Sequence, residues 1–185
     1  AGRAIGDLSL NGSTTTVIQI GEGVFQPHGV LPNGGRLLAD FAPDGTRLAA
    51  YTWSMGILVN TNLVKPADEP KAWKDLLDPK WKGKLLSDDF RALGTGAVFF
   101  FVTTEKIGAD FHPRLAANAL VFSRDILNDQ RRVARGEYAL YITMSMPNVL
   151  KLKGLPVKLV SPSEGSPYVR FDLAMMKGAP HPNAS

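Results

Sequence analysis

The sequence contains no cysteine. Disulfide bonds, thiolate metal sites and thiol nucleophiles are therefore excluded. Long apolar runs are missing as well. The longest, residues 97–103, is far shorter than the roughly 20 residues that a membrane-spanning helix needs. A hydrophobic fraction of 44% with 21% charged residues is instead typical of a globular protein.

Catalytic patterns are also missing. The three histidines, His28, His112 and His181, are scattered, and each stands beside a proline or glycine. No Gly-x-Ser-x-Gly, His-Glu-x-x-His or Walker pattern occurs. Asp88 and Asp89 resemble an acid–base pair, but adjacent carboxylates in a loop are usually solvated or act as caps. The sequence therefore predicts a protein that is not an enzyme and that needs no cofactor.

The charge is mildly basic, with a net charge of +4 and a pI near 9.4. Lysine and arginine are scattered, apart from the alternation of Lys80, Lys82 and Lys84 and the pair Arg131-Arg132. This distribution does not form a nucleic-acid-binding surface, so no nucleic acid is expected as a partner. It suits a small anionic ligand better than a polymer.

Extended and helical patterns alternate along the chain. We predict strands over 7–10, 46–59, 84–87, 120–122, 138–143, 157–160 and 169–176. We predict helices over 14–22, 94–105, 111–118, 124–135 and 146–153, and a loop followed by a helix over 66–77. Residues 21–35 read as a loop. The alternation predicts an α/β fold with a mixed sheet and flanking helices.

Residues 78–97 read as a turn, a short strand, a polar loop and the glycine-softened start of an apolar helix. The backbone N–H groups at a helix start and the positive end of the helix dipole favour an anion. Arg91 stands in the same loop and can donate a forked pair of hydrogen bonds to a carboxylate or phosphate. The alternative is an ordinary strand-to-helix connection, since an isolated Gly-x-Gly pattern is a weak signal.

Several short motifs, taken in order, resemble the periplasmic solute-binding proteins of ABC importers, in the iron(III)/polyamine-type branch of the two-lobed type II binding-protein fold. They are Gly-Ile-Leu-Val-Asn-Thr-Asn-Leu-Val (56–64), Trp-Lys-Asp-Leu-Leu-Asp-Pro-Lys-Trp-Lys-Gly-Lys (73–84), Val-Ala-Arg-Gly-Glu-Tyr-Ala (133–139), Gly-Leu-Pro-Val-Lys (154–158), Pro-Ser-Glu-Gly (162–165) and Lys-Gly-Ala-Pro-His-Pro-Asn-Ala (177–184). Each is weak alone, but their order and spacing over residues 46–185 are specific.

The resemblance implies a division into lobes. Residues 1–52 correspond to part of lobe one, 53–167 to a complete lobe two, and 168–185 to a strand that returns to lobe one. Family members are considerably longer. We therefore expect the partial lobe one to expose apolar surface, and to be loosely ordered or paired with another chain as an oligomer.

The resemblance also implies a ligand site in the cleft between the lobes, closed by hinge motion. The residues carried over are Arg91, Gly94, Thr95, Gly96, Thr143, Met144 and Ser145 from lobe two, with Tyr51, Trp53 and Arg170 from the hinge. Each has a plainer interpretation: strand packing for Tyr51 and Trp53, a surface ion pair for Arg170, and helix capping at Pro147 for Thr143 and Ser145.

The expected function is that of a non-catalytic periplasmic receptor, which binds a small organic anion and presents it to a membrane permease. A carboxylate is favoured over a phosphonate. Ferric iron is the first alternative, but Tyr138 and Tyr141, three apart on one predicted strand, point to opposite faces. Polyamines would need more cleft carboxylates than Asp88 and Asp89. The effector-binding domain of a transcription regulator, which shares this fold, is the alternative from another class.

Overall fold

The computed structural model describes residues 6–37 and 45–182. The strands are β1 (Leu8–Gly12), β2 (Phe25–Gln26), β3 (Arg47–Asn60), β4 (Leu85–Asp88), β5 (Val121–Ser123), β6 (Leu140–Ser145), β7 (Val157–Val160) and β8 (Tyr168–Met176). The α-helices are α1 (Ser13–Gly21), α2 (Thr95–Ile107), α3 (Phe111–Ala116) and α4 (Ile126–Ala134). Within these ranges no helix has both the length and the apolar character to cross a bilayer.

The chain divides into two compact units. The first comprises residues 1–52 and 169–185, and the second comprises residues 53–168. Strand β3 therefore begins in the first unit and ends in the second. Strand β8 contributes its first residue to the second unit and the rest to the first.

The sheet of the second unit is mixed, as the sequence predicted. The C-terminal half of β3 pairs antiparallel with β6 and with β7. Strand β4 lies parallel to both β5 and β6. All six residues of β6 are buried, as expected for a strand that is covered on both faces. Its polar residues Thr143 and Ser145 therefore lie in the interior.

Helix α2 packs against α3 and against the segment Trp73–Leu77 through aromatic side chains. The ring of Phe99, which is fully buried, meets the rings of Trp73 and Phe111 edge to face at 4.9 and 6.3 Å. His112 stacks against Phe100 at 4.3 Å, and its Nε2 lies 2.9 Å from the Thr103 hydroxyl. Burial lowers the pKa of His112 and so favours its neutral imidazole.

The motifs at 73–84 and 162–165 meet in space. The Trp73 indole N–H donates to the Gly165 carbonyl at 2.8 Å, and the Trp73 backbone N–H donates to the Glu164 carboxylate. The Trp81 indole N–H donates to the Asp75 carbonyl at 3.0 Å. These side chains fix a connection that has little regular structure of its own.

Asn60 closes the end of β3. Its amide nitrogen donates to the carbonyl of Val133 at 2.6 Å, near the C-terminus of α4. Its amide oxygen accepts the backbone N–H groups of Asn62 and Leu63 at 2.8 and 3.1 Å. Asn60 has only 1% of its surface exposed, and its side chain provides hydrogen-bond partners both for the end of α4 and for the turn after β3.

The first unit holds a small antiparallel sheet. Strands β1 and β2 both pair with β8, with Leu10 opposite Leu173 and Phe25 opposite Met176. Helix α1 follows β1 directly. Val17 and Ile18 on α1 are each 53% exposed, and Leu8 and Leu10 on β1 are 45% and 49% exposed, so apolar surface is exposed here as predicted.

Several expectations about secondary structure are wrong. Residues 66–77 form two 3₁₀ segments, Pro66–Asp68 and Trp73–Leu77, because the Asp75 carboxylate accepts the backbone N–H of Lys71 and Ala72 and so starts a new turn. The segment Met146–Leu152 is also a 3₁₀ helix. The loop predicted over 21–35 contains β2, which is too short to leave a periodic signal.

Candidate functional site

The three parallel strands end at one edge of the second unit's sheet. Strand β4 ends at Asp88, β5 at Ser123 and β6 at Ser145, with Asp88 opposite Ser123. We call these residues, with those that directly follow each strand, the carboxyl edge. In open α/β sheets, ligands bind outside the carboxyl ends of the strands. The carboxyl edge is therefore the candidate functional site of this unit.

The Asp88 carboxylate occupies the start of α2. Its Oδ2 accepts hydrogen bonds from the Thr95 hydroxyl at 2.8 Å and from the Gly96 N–H at 2.9 Å. Its Oδ1 accepts the Asp89 backbone N–H at 3.0 Å, and the side chain is fully buried. The sequence-based expectation that the N–H groups of this loop are available to a ligand is thus wrong for Gly96.

The two glycines that the sequence analysis assigned to ligand binding have structural reasons to be glycine. Gly94 has a φ of +145° and ends the loop, and a Cβ there would lie 3.3 Å from Asp88 Oδ2. A Cβ on Gly96 would lie 2.5 Å from the carbonyl oxygen of Asp89. Both glycines therefore let α2 begin directly against the end of β4.

The guanidinium group of Arg91 is paired within its own loop. Its Nε and Nη2 donate to the two carboxylate oxygens of Asp89 at 2.9 and 2.7 Å. These hydrogen bonds hold the pKa of Asp89 at about 2, well below its usual value. The Arg91 side chain is 84% exposed, and the neighbouring Leu93 is 72% exposed. A contact between Arg91 and a ligand stays a prediction.

Thr143 and Ser145 differ in their environments. The Thr143 hydroxyl oxygen accepts the Asp88 backbone N–H at 2.9 Å, and so ties the end of β4 to β6. Ser145 is 2% exposed, and its hydroxyl has no hydrogen-bond partner within the described part of the chain. It does not cap the following 3₁₀ helix, so the capping interpretation fails for Ser145.

Arg124 belongs to the carboxyl edge, although the sequence analysis assigned it to a helix. It directly follows β5, and α4 begins only at Ile126. Its Nε lies 3.8 Å from Asp88 Oδ1, beyond hydrogen-bonding distance, and 52% of the side chain is exposed. The sequence signal that could have found it is its position, directly after a strand, together with its planar charged group.

The remaining predicted residues lie elsewhere. In the first unit, Tyr51 stacks on Phe171 at 4.9 Å, and the Arg170 Nε donates to the Ser13 hydroxyl at 3.1 Å. The buried Asp172 carboxylate lies 3.4 Å from Arg170 Nε. Trp53 is half-buried at the start of the second unit. Ligand binding by Tyr51, Trp53 and Arg170 stays a prediction.

The two tyrosines considered as iron ligands lie in different environments. Tyr138 precedes β6, contrary to the prediction, and its hydroxyl lies 3.2 Å from Arg132 Nη2. Tyr141 is fully buried within β6, and this burial raises the pKa of its phenol. Within residues 6–37 and 45–182, no group of three or more histidine, aspartate or glutamate side chains is arranged to hold a metal ion.

Solved structures that are similar to this chain include binding proteins of ABC transporters. The chain superposes with a TM-score of 0.82 on the substrate-binding protein of an ABC transporter from Agrobacterium tumefaciens, at 15% identity, over 96% of this chain and 56% of that one. It superposes with a TM-score of 0.74 on AfuA of Actinobacillus pleuropneumoniae, a periplasmic binding protein with fructose-6-phosphate bound, at 24% identity, over 96% and 60% of the two chains. At these identities the likeness establishes the fold, that of the periplasmic binding proteins.

Sequence comparison establishes the family. The chain belongs to the bacterial extracellular solute-binding protein family, whose profile matches residues 18–183. It is also 32% identical over 137 residues to an uncharacterized protein of Haemophilus influenzae, a match that covers 70% of this chain and 40% of that protein. The chain thus spans less than two thirds of the length of these relatives.

Proposed function

We propose that this chain is the solute-recognising part of a non-catalytic receptor of an ABC import system, located in the periplasm. Its solute is a small organic anion, with a carboxylate favoured over a phosphonate. The receptor closes its lobes around the solute and presents it to a membrane permease. Membership of the solute-binding family and the binding-protein fold support the receptor role.

Arg124 is the observation that carries the choice of an anion. Its guanidinium is half-exposed at the carboxyl edge, where ligands bind in this class of sheet. Within the described residues, the only carboxylate within 4.0 Å of it is Asp88, at 3.8 Å. The Asp88 carboxylate already accepts hydrogen bonds from Thr95, Gly96 and Asp89, so it has hydrogen-bond partners without Arg124. The planar fork of Arg124 is thus suited to a solute carboxylate.

A thermal-shift screen tests this function. The panel comprises aliphatic and aromatic carboxylates, phosphonates, polyamines and ferric citrate. We expect carboxylates to raise the melting temperature of the protein. Stabilisation by polyamines alone would overturn the assignment to an anion, and a visible charge-transfer band with ferric citrate would favour iron. Recovery of the added compound unchanged separates a receptor from an enzyme.

Two arginine variants then test the site. Arg124→Gln should weaken binding of the best carboxylate by about 10- to 150-fold, the equivalent of losing one charge-assisted contact of roughly 1.5–3 kcal/mol. Arg91→Gln is the matched control, because Arg91 already donates both arms of its fork to Asp89. A larger loss in Arg91→Gln than in Arg124→Gln would return the anion contact to Arg91.

A further inference from the structure

The carboxyl edge carries an anion of its own. The Asp88 carboxylate lies at the start of α2 and accepts one hydroxyl hydrogen and two backbone N–H hydrogens at 2.8–3.0 Å. The first turn of an α-helix bears about half a positive charge, and a negative group is stabilised there. In this protein the fully buried side chain of Asp88 occupies that position.

A second anion at the same place is disfavoured for two reasons. The Gly96 N–H, which would otherwise donate to a bound anion, is committed to Asp88. A solute carboxylate in direct contact with the fully buried Asp88 carboxylate would also be repelled by a like charge. Asp89 adds a further negative charge to the loop, although Arg91 is paired with it.

The carboxyl edge still offers an uncharged contact. The Ser145 hydroxyl is 98% buried and has no hydrogen-bond partner within the described residues. It lies at the end of β6, whose Thr143 already bonds to the Asp88 backbone. A buried hydroxyl that is left unpaired costs free energy, which a polar group of a solute would recover.

We propose that Asp88 is a specificity-determining residue of the carboxyl edge. It takes the place at the start of α2 where an anionic group of a solute would bind, so the part of the solute that faces α2 and Ser145 is a hydroxyl or an ammonium group. The solute is then a hydroxy acid or an amino acid rather than a compound with two anionic ends, since its single carboxylate is bound by a guanidinium. This inference rests on the proposed function.

The experiment follows the Gly96 amide by proton–nitrogen NMR while inorganic phosphate is added to the 185-residue chain. In the wild-type protein the Gly96 resonance should not move at millimolar phosphate. In Asp88→Ser it should move and saturate, with an affinity for phosphate at least about tenfold above that of the wild type, since a charge-assisted hydrogen bond becomes available. Asp88→Asn, which keeps the shape of the side chain, is the second variant and should show a smaller gain.

Asp125→Asn is the matched control, because it removes an exposed carboxylate that follows Arg124 and makes no side-chain cap hydrogen bond. It should leave the response of Gly96 to phosphate as in the wild type. Saturable movement of Gly96 in the wild type would overturn the inference, even if no variant folded. A folded Asp88→Ser without any gain would overturn it as well.

The role inferred for Asp88 and the proposed receptor function can fail independently of each other. If no carboxylate stabilises the protein but the phosphate result holds, the proposed function fails and the role of Asp88 stands. If dicarboxylates bind more tightly than hydroxy acids and amino acids of the same length, the receptor function stands and the inferred solute class is wrong.

Discussion

Helix propensity and tertiary packing predict opposite effects on stability when Gly96 is replaced by alanine. Gly96 is the second residue of α2, and helix propensity alone would favour alanine by up to about 1 kcal/mol. The added Cβ, however, would lie 2.5 Å from the carbonyl oxygen of Asp89 and 2.7 Å from its carbonyl carbon. These are backbone atoms, so no flexible side chain can move aside.

The Asp89 backbone is itself held in place. Its N–H lies 3.0 Å from Asp88 Oδ1 and 3.1 Å from the carbonyl oxygen of Ser123. Making room for the methyl group must therefore displace the end of β4, the start of α2, or both. Overpacking of this kind costs about 1–3 kcal/mol, and loosening the bond from Gly96 to Asp88 adds to it. We expect Gly96→Ala to lower the free energy of unfolding by about 1–3 kcal/mol.

The assay is urea denaturation followed by tryptophan fluorescence. Trp53, Trp73 and Trp81, the three tryptophans of the chain, all lie in the second unit, so the signal reports the unit that contains Gly96. Gly21→Ala in α1 is the control, followed by circular dichroism, because a Cβ at Gly21 meets no atom within 4 Å. It should be neutral or stabilising. Wild-type stability in Gly96→Ala would refute the close approach of β4 and α2.

Two further variants probe the interior of the second unit. Asn60→Ala should cost about 2–4 kcal/mol, because the Val133 carbonyl and two backbone N–H groups lose their partner, whereas the exposed Asn62→Ala should be nearly neutral in the same urea assay. The buried His112 should make stability depend on pH. Its pKa is lowered in the folded state, so its contribution is complete above the unfolded value of about 6.5 and is lost as the pH falls through the folded value. His112→Phe should therefore flatten the fall in unfolding free energy below this pH, and an unchanged slope would contradict the assignment.

Most of the fold could be predicted from the sequence because its periodic segments are long enough to leave a pattern. The apolar run of α2 and the strand patterns of β3, β6 and β8 each predicted an element close to its observed bounds. The failures have different causes. The Asp75 carboxylate accepts two backbone N–H groups and so starts a new turn where the sequence looked helical. Strand β2 has only two residues, which are too few to leave a periodic pattern.

The candidate site was predicted only in outline, for a physical reason. The sequence located the loop, the glycines and the carboxylates, but not which group bonds to which. Adjacent Asp88 and Asp89 point their carboxylates to different partners, one to α2 and the other to Arg91. Arg124 lies about 35 positions further along the chain and reaches the same edge only because β4 and β5 are parallel neighbours.

The exposed side chain of Leu93 has a practical consequence. It stands one residue before Gly94, on the loop that leads from β4 into α2, and 72% of it is open to water. Since the chain has no native thiol, Leu93→Cys would accept a single maleimide dye beside the carboxyl edge. Fluorescence of this dye would then test the proposed binding of a solute at the carboxyl edge.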